Sequence, residues 1–269
     1  MKKELIDFFV SEGIEYFAAL DYSQTRVING SLIAREDFTP RSVIIFLLPY
    51  YAGECENLSR YAAARDYHLA IRDVTDRLIA KLSELYPGSS AKGYGDHSPI
   101  DERDAALSAG LGILGDSGLL INESYGTYVF IADVITDISA SDITRDFMAK
   151  EHRHCISCGA CLRACPTGIL RGEGCDCLSA ITQRKGELAD TEVDLMRKFN
   201  TVWGCDLCQS SCPYNKEPKI TPISFFREER ITCLTSELLA GMSKDEFRAR
   251  AFAWRGRKTV ERNLELLGY

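Results

Sequence analysis

The stretch Cys155-Ile-Ser-Cys158-Gly-Ala-Cys161-Leu-Arg-Ala-Cys165-Pro166 carries the strongest signal in this chain of 269 residues. Its spacing, C-x2-C-x2-C-x3-C-P, is that of the bacterial ferredoxins, in which the fourth cysteine ligates the other of two clusters. A stretched second set follows, with Cys177 ahead of Cys205-Asp-Leu-Cys208-Gln-Ser-Ser-Cys212-Pro213. Together the two sets predict a ferredoxin-like segment with two 4Fe–4S clusters.

Each half of the pattern is expected to give three thiolates to one cluster and one to the other. The predicted ligands of one cluster are Cys155, Cys158, Cys161 and Cys212. Those of the other are Cys165, Cys177, Cys205 and Cys208. Cys175 is left over within the segment, while Cys55 and Cys233 are expected to be ordinary thiols in a reducing cytoplasm.

Disulfides and zinc explain these cysteines less well. Disulfide frameworks belong to short secreted chains, and the first ten residues are too short an apolar stretch for a signal peptide, with Glu4 and Asp7 inside it. Zinc sites usually take four ligands from paired C-x2-C halves. Eight cysteines with two Cys-Pro endings favour iron–sulfur clusters.

The composition is that of an ordinary globular protein, with 45% hydrophobic and 26% charged residues. No apolar run approaches the roughly 20 residues that a membrane span requires, so no membrane association is expected. The net charge of −7 argues against indiscriminate binding to nucleic acid. A local basic patch, or simply a solvated helix face, is formed by Arg248, Arg250, Arg255, Arg257, Lys258 and Arg262.

Residues 1–148 predict a mixed α/β domain. Helices are expected at 2–12, 57–86 and 100–109, and short strands at 14–20 and 41–49, the latter buried on both faces. Residues 119–121 and 128–135 suggest paired strands around a turn at 123–126. The predicted fold class is α+β: this domain, a two-cluster ferredoxin-like domain at 149–219, and a C-terminal helical segment at 220–269.

The common nucleotide and hydrolase motifs are missing. There is no phosphate loop and no Gly-x-Ser-x-Gly elbow, and the glycines of Gly110-Leu-Gly112-Ile-Leu-Gly115 follow a helix pattern, so a dinucleotide loop is disfavoured. The D-x-H-x-x-G motif, which supplies a histidine ligand to cobalt in some corrinoid proteins, is also absent. Both Asp66-Tyr-His68 and Asp96-His97 lack its glycine.

A series of short segments resembles the epoxyqueuosine reductase family, cobalamin-dependent iron–sulfur enzymes of queuosine-tRNA maturation. The resemblance runs from about residue 35 to Gly268. The segments that carry it are Ser59-Arg60-Tyr61-Ala62, Arg65-Asp66-Tyr67-His68, Asp96, Glu102-Arg103, Ala109-Gly-Leu-Gly112, Leu119-Leu-Ile121, Tyr125-Gly126-Thr127-Tyr128, Cys177-Leu-Ser179, Thr182-Gln183, Lys185-Gly186, Gly204-Cys205-Asp206, Cys208-Gln209, Cys212-Pro213, Asn215 and Arg262-Asn263-Leu264.

The resemblance implies a cobalamin that no protein histidine ligates, in a reductase- and dehalogenase-like N-terminal domain. It also implies electron transfer from a low-potential donor through both clusters, a tRNA substrate whose epoxide becomes an alkene, and a cytoplasmic monomer. The family's proton donor falls at Asp96, whose pKa burial would have to raise. The alternative is that Asp96 is an ordinary turn residue, since glycine, aspartate, serine and proline favour turns and the segment reads Gly95-Asp96-His97-Ser98-Pro99.

Further site residues follow from the same resemblance. The implied cobalamin contacts are Ser59, Asp96, Leu120, Asn122, Ile131 and Ser179, and the implied tRNA contact is Lys185. For Leu120 and Ile131 core packing is an equal alternative. For Lys185 the alternative is solvated surface.

The chain departs from the family pattern in three places. An acid stands where the family has lysine, in Gly115-Asp116-Ser117-Gly118. The usual Thr-Gly after the catalytic aspartate is replaced by His97-Ser98, and His97 could take part in proton transfer. The family's C-terminal helical repeats are expected to be missing, which makes this a short form. Two other functions therefore remain open: a corrinoid iron–sulfur reductase acting on a small molecule, and a non-catalytic two-cluster electron carrier.

Overall fold

The structure, a computed structural model, describes residues 1–146, 148–174 and 176–269. Its internal contacts divide the chain into two units, one comprising 1–49 and 68–157 and the other comprising 50–67 and 158–269. The sequence predicted three consecutive domains instead. Residues 50–67 and the C-terminal segment both contact the cysteine-rich part of the chain. A division into consecutive segments could not group residues 50–67 with residues that follow much later in the sequence.

The first unit is built on a four-stranded sheet in the order β1-β2-β6-β3, in which every neighbouring pair is antiparallel. A two-stranded sheet pairs β4 with β5. The strands are β1 Phe17–Asp21, β2 Ser42–Pro49, β3 Ala91–Tyr94, β4 Ile113–Leu114, β5 Leu120–Ile121 and β6 Val129–Thr136. All eight residues of β2 are buried, which confirms the predicted strand covered on both faces.

Helices cover both faces of this sheet. They are α1 Lys3–Ser11, α2 Gly30–Ile33, α3 Tyr67–Leu85, α4 Glu102–Ser108 and α5 Ala140–Ile143. The predicted helix at 2–12 is confirmed by α1, whose Phe9 ring stacks on Phe17 with centroids 4.3 Å apart. On the other face, Ile100 and Ala105 pack with Val43 and Ile45 of β2 in one apolar cluster. This second face lies beneath the candidate site.

Two details predicted for this unit are wrong. The segments at 119–121 and 128–135 do not pair with each other: β5 pairs with β4, and β6 pairs with β2 along its length and with β3 over residues 133–136. The helix predicted over 57–86 begins only at Tyr67. Before that point the backbone bonds elsewhere: the Ser59 N–H donates to Trp203 O at 2.8 Å and the Asp66 N–H to Ala249 O at 2.7 Å.

The second unit is mostly helical. Its helices are α6 Ala160–Ala164, α7 Leu178–Gln183, α8 Asp190–Lys198, α9 Leu207–Ser210, α10 Ser236–Gly241, α11 Lys244–Arg248 and α12 Arg257–Leu267. Trp203 and Phe252 are fully buried at its centre with Val260 and Leu264 of α12. The buried Asn263 amide donates to Thr182 O at 2.7 Å and to Val202 O at 2.8 Å, which joins α12 to the region of the cysteines.

Within the described ranges, no helix combines the length and the apolar character needed to cross a bilayer.

Candidate active site and cluster-binding segment

The cysteines of the second unit lie on short helices and the turns between them. Cys161 is on α6 and Cys165 directly follows it, Cys177 precedes α7, and Cys208 is on α9. Helices α6 and α9 pack against each other. The long interval between Cys177 and Cys205 is occupied by α7 and α8, so the stretched second motif is an insertion of two helices into a ferredoxin-like pattern.

One predicted set of four thiols shares a common electrostatic environment. Burial, followed by the charges of Cys205, Cys177, Asp206 and Cys165, raises the pKa of Cys208 to about 12. Burial raises the pKa of Cys205 to about 11, with smaller contributions from Cys177, Asp206 and Cys165. Four thiolates that repel one another in a partly buried position are the arrangement that a cationic iron core would neutralise. These residues therefore fit a cluster.

The Cys165 sulfur accepts several hydrogen bonds, and its pKa is lowered, whereas those of Cys205 and Cys208 are raised. Burial opposes the shift, but the backbone N–H of Leu170 and the Thr167 side chain, with the Thr167 and Gly168 N–H groups, lower its pKa overall. Such N–H···S bonds stabilise a thiolate ligand and tune cluster potential. Within the described residues, no three His, Cys, Asp or Glu side chains converge closely enough to hold a single metal ion. A cluster differs from such a site because each sulfur binds a different iron.

The second predicted ligand set is divided by the structure. Cys158, Cys161 and Cys212 lie in the second unit, whereas Cys155 lies near the end of the first, where its N–H donates to Leu114 O at 2.9 Å. The joint role of these four residues stays a prediction. Cys175, the spare cysteine, is outside the described residues.

Ser59 is bound to the segment that carries Cys205. Its hydroxyl donates to the buried Asp206 carboxylate, which also accepts from the Arg60 N–H at 2.7 Å and the Arg60 guanidinium at 3.1 Å. Gly204 has φ +79°, and a Cβ there would lie 2.3 Å from the Ser59 Cβ. Only glycine permits so close an approach. Ser59 is thus a buried structural residue, and its predicted cobalamin contact stays a prediction.

Asp96 lies in the connection between β3 and α4, in the first unit. Its φ of +62° is left-handed, which aspartate tolerates better than most residues. The preceding Gly95 lies directly on α3, where a Cβ would meet the Ile71 side chain at 2.7 Å. Two cavities flank this connection: one of 530 Å³ lined by His68, Gly95 and His97, and one of 550 Å³ lined by Asp96, His97 and Ile131 among others.

The Asp96 side chain is 54% exposed and has a histidine partner that the sequence did not suggest for this role. His68 Nε2 of α3 lies 3.7 Å from Asp96 Oδ2. Sequence reasoning noted His68 only within a short motif, because the separation of twenty-eight residues hid the contact. The second predicted member of this site, Ile131, is partly buried in the wall of the same 550 Å³ cavity.

Three other predicted contacts have structural partners of their own. Leu120 is 4% exposed and belongs to the apolar cluster on the α4 face of the sheet. The buried Asn122 donates to Leu111 O at 2.9 Å and accepts from the Ser124 and Tyr125 N–H groups, which closes the turn before β6. Ser179 accepts from Gln183 at 3.0 Å on α7. The predicted cofactor roles of these residues stay predictions.

Two acids near Asp96, the buried Asp133 and the partly buried Glu102, were not predicted as site residues from the sequence. Asp133 of β6 is fully buried, and burial raises its pKa to about 7 although the Ser98 hydroxyl, 3.2 Å away, opposes the shift. Burial, then the charges of Asp133 and Asp96, raises the pKa of Glu102 to about 8. A sequence signal did exist, since Asp133 interrupts the otherwise uncharged run Val129–Thr136. Acids with such pKa values are typical of functional sites.

The basic residues of the C-terminal region form a separate cavity in the second unit. It has a volume of 540 Å³ and its lining includes Lys185, Arg255, Arg257, Lys258 and Arg262. Arg262 has a structural task, because it donates to the carbonyl oxygens of Arg184 and Gly186 and so fixes the Lys185 loop. Lys185 and Lys258 are exposed. Four of the six residues of the predicted basic patch therefore line a concave surface together with the predicted tRNA residue, whereas Arg248 and Arg250 do not belong to its lining.

Two family models match this chain. Residues 154–215 match a 4Fe-4S double cluster binding domain. Residues 38–97, which end just after Asp96, match the model described as "Epoxyqueuosine reductase QueG, DUF1730". The chain thus carries two 4Fe–4S clusters in its cysteine-rich segment.

Curated relatives and solved structures agree with these matches. The chain is 28% identical to the epoxyqueuosine reductase of Listeria monocytogenes over 98% of its own length and 72% of that protein. It is 33% identical to that of Aliivibrio fischeri, over 74% of the chain and 55% of the relative. The fold matches epoxyqueuosine reductase from Streptococcus thermophilus with a TM-score of 0.78 at 22% identity, covering 98% of this chain and 80% of that one.

A structure of an epoxyqueuosine reductase with an epoxyqueuosine-modified tRNA-Tyr stem loop also shares the fold. The TM-score is 0.75 at 24% identity, over 98% of this chain and 80% of that one. The chain spans a little more than half the length of most of the curated relatives it matches.

Proposed function

The chain is related to the epoxyqueuosine reductases along nearly its whole length, and we propose that it reduces epoxyqueuosine to queuosine in tRNA with cobalamin and two 4Fe–4S clusters. One observation carries the proposal. Asp96, which matches the family's proton donor, borders a 550 Å³ cavity in the first unit together with Ile131. This volume is within the range of small-molecule sites, which combine apolar walls with a few polar groups.

Asp96 has the position and the partners of a general acid. Removing the epoxide oxygen consumes two electrons and two protons and releases one water molecule, so a proton donor must reach that oxygen. The half-exposed Asp96 carboxyl can meet a substrate in the cavity, and His68, 3.7 Å away, can return a proton to it after turnover. Asp96 is thus the proton donor and His68 the group that reloads it.

The cavity fits part of a cobalamin site. Its apolar wall includes Ile28, Val129 and Ile131, and its polar wall includes Asp96 and Ser98. Bound cobalamin would supply a strongly reducing cobalt centre. Asp96 and Ile131 would contact the cofactor in this unit, with Ser59 and Ser179 as further proposed contacts in the other.

The proposed cluster ligands keep the pairing predicted from the sequence. Cys165, Cys177, Cys205 and Cys208 bind one cluster, which their mutual effect on pKa supports. Cys155, Cys158, Cys161 and Cys212 bind the other. Clusters held by these eight cysteines would supply a path for electrons from a low-potential donor.

The 540 Å³ basic cavity supports tRNA as the substrate. Lys185 and Lys258 expose their charges there, although the whole chain has a net charge of −7. Phosphate contacts from clustered Lys and Arg supply most of the affinity for nucleic acid. Trp254 nearby is 59% exposed, and the Arg255 guanidinium stacks on its ring at 3.7 Å. Such an aromatic group can stack on an unpaired RNA base.

The test is a single turnover by anaerobically reconstituted, reduced protein on tRNA that contains epoxyqueuosine. Conversion to queuosine is expected, and an unchanged nucleoside would overturn the tRNA proposal. Absorption spectra recorded on the same sample separate the alternatives. Bound cobalamin without conversion favours a small-molecule reductase, whereas cluster absorption alone favours an electron carrier.

A further inference from the structure

The connection between β3 and α4, residues 95–101, is held at its two ends in different ways. At its C-terminal end, Pro99 O accepts from the N–H groups of Ile28 and Asn29, each at 2.9 Å, and the Asp101 N–H donates to Arg26 O at 2.9 Å. These are bonds between backbone groups, whose strength does not depend on pH. This end of the connection is firmly fixed.

The N-terminal end, which carries Asp96, depends on a side chain. The Asp96 N–H donates to Glu102 Oε1 at 3.0 Å. Glu102 is the first residue of α4, and the helix itself is capped by Asp101, whose carboxylate accepts from the Asp104 N–H at 2.9 Å. Glu102 is therefore not needed as the helix cap, and its oxygen is used on the Asp96 backbone.

Asp133 lies on the same face of the sheet, under this connection. Its Oδ2 is 3.2 Å from the Ser98 hydroxyl, and its Oδ1 is buried without a hydrogen-bond partner among the described residues. Ser98 in turn accepts from the Ile100 N–H at 3.3 Å. Two carboxyl groups from different elements, Glu102 and Asp133, thus hold the connection on either side of His97.

We infer that Glu102 is a positioning residue, whose carboxyl oxygen binds the Asp96 backbone and, with Asp133 beneath, holds the connection so that Asp96 borders the cavity. The inference rests on the proposed role of Asp96 as proton donor. The role of Glu102 follows from the structure because Glu102 Oε1 accepts from the Asp96 N–H at 3.0 Å.

This arrangement is sensitive to alkaline pH. The groups around Glu102 are Asp133 on β6, Asp96 with its partner His68 on α3, and Asp101, which pairs with Arg26. Around Asp133 lie the neutral hydroxyls of Tyr94 and Tyr22, whose pKa values are raised by burial first and by Asp133 among other charges.

Protonated Glu102 is a neutral acceptor in this environment. As the pH rises through about 8, Glu102 becomes a carboxylate. The bond from the Asp96 N–H favours this form, but burial and repulsion by Asp133 and Asp96 outweigh that bond, so the folded connection loses stability. Turnover should therefore decline on the alkaline side.

The experiment compares Glu102→Gln and Glu102→Ala with the unaltered chain and with Asp104→Asn. The control removes an acid two residues along the same helix, where its only side-chain ion pair among the described residues is a 4.0 Å contact with His152. Two quantities are measured on reconstituted protein: hydrogen exchange of peptides spanning residues 95–101, and kcat for tRNA-bound epoxyqueuosine against pH. Thermal unfolding checks that each variant is folded.

Glutamine keeps the oxygen acceptor but cannot ionise, so Glu102→Gln should protect the connection as the unaltered chain does and lose the decline above about pH 8. Alanine removes the acceptor. Exchange near Asp96 should rise about fivefold to tenfold, the effect of losing one hydrogen bond, and kcat should fall with little change in KM. Asp104→Asn should match the unaltered chain in both measurements.

The inference is overturned if Glu102→Ala leaves exchange near Asp96 unchanged, or if Glu102→Gln opens the connection as much as alanine does. It is also overturned if the alkaline decline persists in Glu102→Gln. Exchange needs no turnover. If the unaltered chain fails to convert the nucleoside while exchange follows the expected pattern, the proposed function fails and the positioning by Glu102 stands.

Discussion

The two units of this chain display their chemistry in opposite ways. In the cysteine-rich unit the functional groups are of one type at short, regular spacing, and their grouping could be predicted from the sequence. In the α/β unit they are ordinary acids and a histidine, taken from α3, the β3–α4 connection and β6. Regular spacing in the sequence reveals ligands that one local segment supplies to a single group. Residues that the fold brings together from separate elements are recognised only from their burial and contacts in the structure.

The electrostatics of the two units differ in the same way. Burial raises the pKa of Cys208 and of Glu102 alike, to about 12 and about 8. For the thiols, a cationic iron core would reverse the effect and hold the thiolates charged. For the acids no described cation lies close enough to do so, and the proton itself keeps them neutral. The first arrangement suits a permanent cofactor, the second a group that exchanges protons.

The largest expected effect is the loss of a cluster. Cys208→Ala removes one of four ligands, so iron and sulfide per chain should fall by about half and turnover should disappear. The matched control is Cys55→Ala, a partly buried cysteine of the same unit that lies outside the ligand pattern. Chemical iron analysis and electron paramagnetic resonance of the reduced protein measure the cluster content of both variants. Full iron content in Cys208→Ala would refute the predicted ligand set.

A smaller but still large effect is expected in the α/β unit. Asp96→Asn keeps the size of the side chain but removes the proton, and turnover should fall by about 10²–10⁴-fold, the usual contribution of a general acid. Cluster and cobalamin absorption should stay unchanged. Asp73→Asn, a surface aspartate paired with Arg77 on α3, is the control. Turnover in Asp96→Asn close to that of the unaltered chain would exclude the proton-donor role.

The same contrast explains which parts of the fold were predictable. Local patterns correctly predicted α1 and β2, because amphipathic spacing and a continuous apolar run depend on neighbours in sequence. The helix expected from Asn57 begins at Tyr67 because Ser59 and Asp66 bond to Trp203 and Ala249. The strands expected on either side of the turn at 123–126 pair elsewhere, β5 with β4 and β6 with β2 and β3. In both cases hydrogen bonds between residues distant in sequence determined the structure.

The candidate site shows the same limit. Asp96 was predicted through the family resemblance, and the structure adds His68, Glu102 and Asp133 around it. Asp133 could have been suspected, since a charged residue inside a buried strand requires a reason. Its contact with Ser98 could not, because nothing in the sequence shows that the β3–α4 connection lies over β6.

An effect of intermediate size is expected on the free energy of unfolding, which should depend on pH through Asp133. Asp133 ionises at 3.8 when unfolded and at about 7 when folded, so between these values the folded chain binds a proton that the unfolded chain does not. Stability therefore falls as pH rises from about 4 to about 7. Asp133→Asn removes this dependence and should be more stable than the unaltered chain at about pH 8, on the order of 2 kcal/mol.

Urea unfolding at about pH 5 and pH 8 measures this prediction. The gain from asparagine should be clearly smaller at the lower pH, where only part of the fall in stability between about pH 4 and pH 7 has occurred. Asp137→Asn, an acid just beyond β6 that accepts from the Ser90 N–H, should show no such gain at high pH. An equal gain for Asp133→Asn at both pH values would mean that packing, and not ionisation, is responsible.

The smallest effect is expected at the basic cavity. Lys185→Ala removes one exposed charge among several, so tRNA should bind only a few-fold more weakly, and the slope of log Kd against log salt should fall by about one. Lys185 is not a predicted cluster ligand, so the iron content should stay unchanged. Lys198→Ala, an exposed lysine of α8 that does not line the cavity, should leave both the affinity and the slope unchanged. Equal weakening by Lys185→Ala and Lys198→Ala would show that binding follows overall charge instead of this concave surface.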